Sequence, residues 1–233
     1  MNTKVRVSRY AQALLLACTW MTSVALASAQ TPDQLVTQTT ERVLTLAKEA
    51  QAYYAKDPER LNKQVDEVMQ DVVDFDGFAR GVMGTYASEQ RYKALKTDAE
   101  RAAFKARIAR FTETFRHGLI ETYAKGLLKF NGQRIETVAG RSSVNGVNAT
   151  VVQNIHGDAD KPYVIQYTLR KDRSGSWKLR NVIIEGVNLG QTYRNQFASS
   201  AEQYRGDIDQ VIANWRVEPD VKADAKAAAD AKP

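Results

Sequence analysis

The chain has 233 residues, a formal net charge of +6 and one cysteine. Its first 29 residues have a basic start (residues 4–9), an apolar run and an Ala27-Ser28-Ala29 cleavage site, which together predict a secretory signal peptide cut before Gln30. Loss of the three leader cations reduces the charge to +3, too small for a nucleic-acid-binding surface. An alternative, lipidation of Cys18, would leave an apolar core of about eight residues, the lower limit for a leader.

Cleavage leaves about 204 residues, enough for one domain with its own core, which we place at residues 30–216. The mature chain has no cysteine, so its stability has to come from packing. No later apolar run has the length of a membrane span, and we expect an exported, soluble monomer. Residues 217–233 consist mostly of Ala, Lys and Asp and are predicted to form a disordered tail.

Helical patterns occupy the first half of the chain. A helix is predicted to open at Thr31-Pro32-Asp33 and to stop near Pro58, where a second helix begins. Asp74-Phe75-Asp76-Gly77 interrupts the pattern, and a short helix follows. Thr97-Asp98-Ala99-Glu100 is a capping box that begins the longest helix, which has an aromatic stripe. A final helix is predicted after Gly206.

From Gln133 the apolar period changes to two residues, which is typical of strands. Four strands are predicted, at 133–140, 143–156, 162–171 and from Trp177, joined by short turns, and Asn145-Gly146 is interpreted as a bulge or a turn within the second strand. In the fourth strand the two-residue alternation places four apolar side chains on the same face, those of Trp177, Leu179, Ile183 and Val187. The pattern predicts an α+β fold, with helices packed on one face of a curved, roughly four-stranded antiparallel sheet and an apolar cavity between the layers.

The fourth strand is predicted to lead directly into a helix. Gly186 breaks the strand pattern, as a bulge or a close backbone approach would. Asn188 is a candidate N-cap, and Leu189, Tyr193 and Phe197 follow at four-residue steps. We expect an apolar surface in the angle between this strand and this helix.

Residues for catalysis or metal binding are sparse. His117 and His156 are far apart and have no partner at metal-ligand spacing, so no metal or other cofactor is predicted. Asp71, Asp74 and Asp76 are interpreted as residues that cap a helix. Glu185 is expected to be half-buried and bound by backbone N–H groups, and we expect no enzyme. The alternative is an acid–base pair of Glu185 with Asp76, which Glu185→Gln would inactivate.

Two segments resemble a known family. The run GVNLGQTYRNQF (residues 186–197) resembles the strand-to-helix signature of the MlaC-type periplasmic phospholipid-binding proteins, also called the toluene-tolerance family. VVDFDGFARGVMGTYA (residues 72–87) is similar to a second block of that family, and the likeness spans roughly residues 32–215. The resemblance implies a periplasmic carrier of phospholipid acyl chains that maintains outer-membrane lipid asymmetry. It also implies two partners, an inner-membrane ABC transporter complex with an MCE-domain protein and an outer-membrane lipoprotein complex.

Strand and helix phase predict which side chains line the lipid cavity. They are Phe78, Val82, Tyr86, Phe104, Ile108, Phe111, Phe115, Val147, Val151, Ile165, Tyr167, Leu169, Ile183, Val187 and Tyr193. Lys125, Arg134 and Arg194 are candidates to attract the phosphate of a lipid head group. The alternative is that they are ordinary solvent-exposed residues. The same pattern also fits a carrier of hopanoid or another lipid, and a ligand-free periplasmic adaptor of an ABC transport system whose layers close on themselves.

Overall fold

The structure is a computed structural model that describes residues 30–130, 132–157 and 160–218. The predicted signal peptide, Cys18 and residues 219–233 of the predicted tail lie outside the described residues. Within them the helices are α1 (Pro32–Ala50), α2 (Pro58–Val72), α3 (Phe75–Met83), α4 (Glu89–Lys93), α5 (Asp98–Leu127), α6 (Leu189–Gln203) and α7 (Ile208–Asn214). The strands are β1 (Arg134–Thr137), β2 (Ser143–Asn145), β3 (Asn148–His156), β4 (Tyr163–Lys171), β5 (Trp177–Ile184) and β6 (Val187–Asn188).

Side-chain caps start the helices where the sequence predicts them. Thr31 and Thr97 both form capping boxes, at the starts of α1 and α5. Asp74 caps α3 by accepting a 2.8 Å hydrogen bond from the Gly77 N–H, and Asn188 caps α6. These predicted helix starts are therefore confirmed.

The strands form one open antiparallel sheet in the order β1-β3-β4-β5-β6, and β2 also pairs with β3. The α+β class is confirmed, with six strands in place of the four predicted. The strand predicted at 143–156 is divided by a turn at Gly146 and Val147. The predicted break at Gly186 is neither a bulge nor a close approach. Glu185 and Gly186 form a two-residue hairpin turn with φ of 48° and 83°, and β6 lies between this turn and α6.

A bulge in β5 changes which side chains face the helices. Thr168 of β4 pairs with Asn181, but the next residue, Leu169, pairs with Leu179, so Arg180 has no partner in β4. Beyond the bulge the alternation of side chains is reversed. Val182 and Ile184 point to the helical side, and Ile183, which the sequence placed there, points to the other face because it pairs with Gln166.

The junction of α2 and α3 lies against the edge of β5. Val73 forms a parallel bridge with Leu179, and the Asp74 N–H donates to the Leu179 carbonyl at 2.9 Å. The Asp74 carboxylate also accepts a 2.6 Å hydrogen bond from the Arg180 guanidinium. Gly77 makes room for this pair, because a Cβ there would lie 2.4 Å from Arg180 Cζ.

An aromatic core fills the space between α3, α5, α6 and α7. Phe111 is fully buried, and its ring lies 4.9 Å from Phe197 and 5.3 Å from Trp215. Val217 belongs to this core because it packs over Gly118 of α5, where a Cβ would lie 2.6 Å from Val217 Cγ2. The prediction that the tail begins at residue 217 is therefore wrong at Val217, which is only 8% exposed.

Candidate ligand-binding site

The candidate site is the sheet face that points toward the helices, here called the inner face. Strand register places Val151 of β3, Tyr167 of β4 and Val182 of β5 side by side on it. The next row along the strands consists of Gln153, Ile165 and Ile184. The inner face is therefore apolar across β4 and β5, and its β3 side has a buried polar group.

Helices cover the inner face unevenly. Where α1 begins, Leu35 and Val36 pack on Ala149, Val151 and Leu169, and these three strand side chains are at most 4% exposed. Farther along β4 and β5, Ile165, Tyr167, Val182 and Ile184 remain half-buried. Apolar side chains that face a helical layer and still keep part of their accessible area indicate an incompletely filled space between the layers.

The second half of α5 contributes the opposite wall of this space. Phe111 and Phe115 in the first half are fully buried in the aromatic core. Beyond them Leu119, Tyr123 and Leu127 recur every four residues on one helix face, and all three are half-buried. Leu119 and Tyr123 pack in the same cluster as Val182 and Ile184 of the inner face.

Two tyrosines separate this space from the aromatic core. The hydroxyl groups of Tyr123 and Tyr193 lie 2.6 Å apart and share a hydrogen bond between α5 and α6. Tyr193 has no exposed area, and its ring meets Phe115 edge-on at 5.4 Å. The Tyr193 ring thus belongs to the core, and Tyr123 joins it to the accessible surface.

A polar network fixes α1 over β3. The Gln153 side-chain oxygen accepts hydrogen bonds from Tyr167 at 2.9 Å and from Thr40 of α1 at 3.1 Å. Its amide nitrogen donates to Thr137 at 3.1 Å, and the Thr137 hydroxyl lies 2.8 Å from that of Thr37. Burial raises the pKa of Tyr167, so its phenol stays protonated and remains a donor. Gln153 is thereby satisfied although it is only 2% exposed.

The structure divides the predicted lining residues into groups. Those on the inner face are Val151, Ile165, Tyr167, Leu169 and Val187. Those packed in the aromatic core, because α3, α6 and α7 pack around the first half of α5, are Phe78, Val82, Tyr86, Phe104, Ile108, Phe111, Phe115 and Tyr193. Ile183 lies on the opposite sheet face, and Val147 is 47% exposed in the β2–β3 turn.

Sequence reasoning missed Val182, Ile184, Leu119 and Tyr123. The two β5 residues were missed because of the bulge. Val182, Ile183 and Ile184 are all aliphatic, so their sequence pattern does not show which of them point to the inner face. The α5 residues had a usable signal, since Leu119 and Tyr123 continue the four-residue spacing of the stripe beyond Phe115.

The polar residues considered for chemistry have structural partners. The Glu185 carboxylate accepts from the Val164 N–H at 2.5 Å, which confirms the expected half-buried, backbone-bound glutamate. Asp76 instead forms a 2.7 Å ion pair with Arg80 on the exposed side of α3. Among residues 30–130, 132–157 and 160–218, no three acidic, histidine or cysteine side chains are grouped closely enough to hold a metal ion.

The candidate phosphate-binding cations are not grouped. Arg134 pairs with Glu136 at 2.8 Å, Lys125 is exposed on α5, and Arg194 lies on α6 with its guanidinium over Gly84. None of the helices in the described part of the chain has both the length and the hydropathy that crossing a membrane requires.

Comparison with known proteins identifies the family. The sequence model of the MlaC protein family matches residues 37–217. The chain belongs to the MlaC family. As an MlaC-family member it is 33% identical over 206 residues to the toluene tolerance protein ttg2D of Pseudomonas putida, an alignment that covers 88% of each chain. Its fold is shared with the phospholipid-binding protein of Ralstonia solanacearum, solved in complex with a phospholipid. That match has a TM-score of 0.63 at 22% identity and covers 86% of this chain and 98% of the other.

Proposed function

We propose that this MlaC-family chain is a lipid carrier that holds phospholipid acyl chains between the inner face and the second half of α5. The observation that carries the proposal is the accessible apolar surface formed by Ile165, Val182 and Ile184 on one side and Leu119 and Tyr123 on the other. An acyl chain fits such a site because it is long, apolar and has no hydrogen-bonding groups that need partners. The Ralstonia solanacearum relative, which binds a phospholipid in its solved complex, supports this ligand class.

Transfer energetics explain why such a carrier needs partners. Each buried methylene contributes about 0.8 kcal/mol, so one long chain contributes roughly 10 kcal/mol against release into water. Spontaneous release into water is therefore slow, and the lipid has to pass directly to another apolar surface. We infer docking to an inner-membrane ABC transporter complex with an MCE-domain protein and to an outer-membrane lipoprotein complex, in the periplasm. The resulting lipid shuttle would maintain outer-membrane lipid asymmetry.

The proposal includes no catalytic step. Glu185 is bound by a backbone N–H and Asp76 by Arg80, so each carboxylate has a local structural role. Accordingly, we expect Glu185→Gln to leave lipid binding intact. Loss of a hydrolytic or transferase activity in this variant, with binding retained, would instead favour an enzyme.

Two neighbouring isoleucines provide a matched test. Ile184→Trp places a bulky ring on the inner face, whereas Ile183→Trp places the same ring on the opposite face of the same strand. The exported chain and both variants are purified, checked for folding by circular dichroism and analysed by native mass spectrometry, followed by organic extraction. We expect near-stoichiometric phospholipid on the wild type and on Ile183→Trp, and much less on Ile184→Trp.

The extracted material separates the competing functions. Another lipid class, such as a hopanoid, would keep the carrier and change its cargo. Wild-type protein that is lipid-free and also takes up no lipid from vesicles would contradict the carrier proposal and favour a ligand-free adaptor. Equal loss in both tryptophan variants would mean that the inner face is not the binding surface.

A further inference from the structure

The exposed apolar residues of this protein are concentrated on one hairpin. Among the described residues only two large apolar side chains are exposed, Val144 at 59% and Val147 at 47%. Both belong to the hairpin of β2 and β3, three residues apart, at an end of the sheet. These two valines are more exposed than any other large apolar side chain of the described residues, including the half-buried ones of the inner face, and they form a small exposed apolar group.

The neighbouring hairpin adds positive charge at the same end of the sheet. The Lys171 N–H donates to the Val147 carbonyl at 2.8 Å, so the β4–β5 turn lies beside the β2–β3 turn. Arg170, Lys171 and Arg173 are exposed, and no carboxylate of the described residues forms an ion pair with them. Hydrogen bonds from Ser174 and Ser176 lower the pKa of Asp172, so its carboxylate offsets one of the three positive charges and the turn keeps a net positive charge.

Strand pairing places a further cation beside these three. Lys178 lies opposite Arg170 in β5, and its ammonium donates a hydrogen bond to the Asp71 carbonyl. The Lys171 ammonium lies 5.0 Å from the centre of the Trp177 ring, which places an indole behind the cations. Proteins that lie on anionic lipid surfaces combine exposed aliphatic side chains, cations and an indole ring in one place, and this hairpin has all three.

We propose that this hairpin tip (Val144, Val147, Arg170, Lys171 and Arg173) docks on an anionic phospholipid bilayer. The cations would attract the head groups, and the two valines would enter the interfacial layer. A bilayer suits the tip because binding to an anionic membrane surface combines electrostatic attraction with the burial of a small apolar area, and the tip offers both. The proposal concerns the outer surface of the protein and does not depend on the proposed carrier function.

The tip also lies at the closed end of the inner face. Ala149 and Leu169, next to the two turns, are buried under Leu35 and Val36. Docking through this end would therefore leave the half-buried part of the inner face, around Ile165, directed away from the bilayer. The surface that holds the protein at the membrane and the surface that is accessible for cargo would then be separate.

Vesicle flotation tests the proposal. The exported chain is mixed with vesicles of phosphatidylcholine alone or of phosphatidylcholine with phosphatidylglycerol, at low and at high salt. We expect binding to the anionic vesicles only, weakened by salt because the charges are exposed. Arg170→Glu with Arg173→Glu should weaken that binding about tenfold or more, and Val144→Ser with Val147→Ser should weaken it without changing the net charge.

A control variant with the same charge change distinguishes the tip from general electrostatics. Arg42→Glu with Lys48→Glu changes two exposed cations on α1 and should bind nearly as the wild type does. Equal losses in the control and the tip variant, or equal binding to both kinds of vesicle, would overturn the proposal. Absence of vesicle binding together with tip-dependent binding to poly-glutamate would also overturn it and would assign the tip to an acidic protein.

Discussion

Gly77→Ala should destabilise the protein, although alanine normally favours a helix. The added Cβ would lie 2.4 Å from Arg180 Cζ and 2.5 Å from Asp74 Oδ2, so both side chains have to move. Displacing Asp74 removes the N-cap of α3, which costs about 1 kcal/mol. Losing its ion pair with Arg180, in which the side chains are 33% and 30% exposed, costs up to about 1 kcal/mol more. The helix-propensity gain, at most about 1 kcal/mol, leaves a net loss of about 1 kcal/mol.

Gly81→Ala is the matched control, one helical turn farther along α3. A Cβ at Gly81 meets nothing within 4 Å, so only the propensity gain remains and the variant should be more stable by about 0.5–1 kcal/mol. Urea unfolding followed by circular dichroism should therefore separate the two variants by roughly 2 kcal/mol. In an Arg180→Ala background the cost of Gly77→Ala should shrink, because one of the two displaced groups is already absent. If Gly77→Ala is as stable as Gly81→Ala, the contact between α3 and β5 contributes nothing and the reasoning is refuted.

Other substitutions test other contacts. Gly118→Ala should lower stability by about 1–3 kcal/mol because the added Cβ displaces the buried chain segment after α7. Gly126→Ala should not lower stability, because a Cβ there has open space around it. Thermal unfolding of the two variants tests this difference. Arg107 donates a hydrogen bond that lowers the pKa of Asp209 from its usual 3.8, so the stability from this carboxylate is present above that value and is lost as the pH falls below it. Asp209→Asn should therefore reduce stability slightly at neutral pH and not in acid, and equal losses at both pH values would contradict this. Gln153→Leu should cost about 1–3 kcal/mol in urea unfolding because it leaves buried hydroxyl groups without a partner; wild-type stability would mean that water replaces the amide.

Local signals predicted the helices well. Thr31 and Thr97 start their helices through side-chain bonds formed within three residues, so the sequence pattern contains all the information needed. The same holds for Asn188 at α6 and for the alternation in β4 that places Tyr167 and Leu169 on one face. Features that depend only on near neighbours were therefore predictable.

The lining of the site was less predictable because it depends on contacts between distant segments. The aromatic stripe of α5 was expected beside the cavity, but α6 and α7 enclose Phe111, and only tertiary packing decides which half of a long helix is enclosed. The phase of β5 depends on one extra residue, Arg180, and no pattern in an aliphatic run reveals it. Val147 was assigned to the lining by the phase of the second strand, but of the two interpretations of Asn145-Gly146 the turn is correct, since Gly146 has a φ of 59° and Val147 lies in that turn.

The bulge at Arg180 determines which β5 side chains lie on the inner face. Its guanidinium is held by Asp74, a residue outside the sheet, so a contact at the sheet edge fixes the alternation of every later side chain in β5. If Arg180 instead paired with Thr168 in an unbroken ladder, every later residue of β5 would move to the other face. Ile183 would then replace Ile184 on the inner face, and the polar Asn181 would replace Val182 beside Tyr167. One residue held out of the ladder therefore keeps an amide side chain off the apolar inner face.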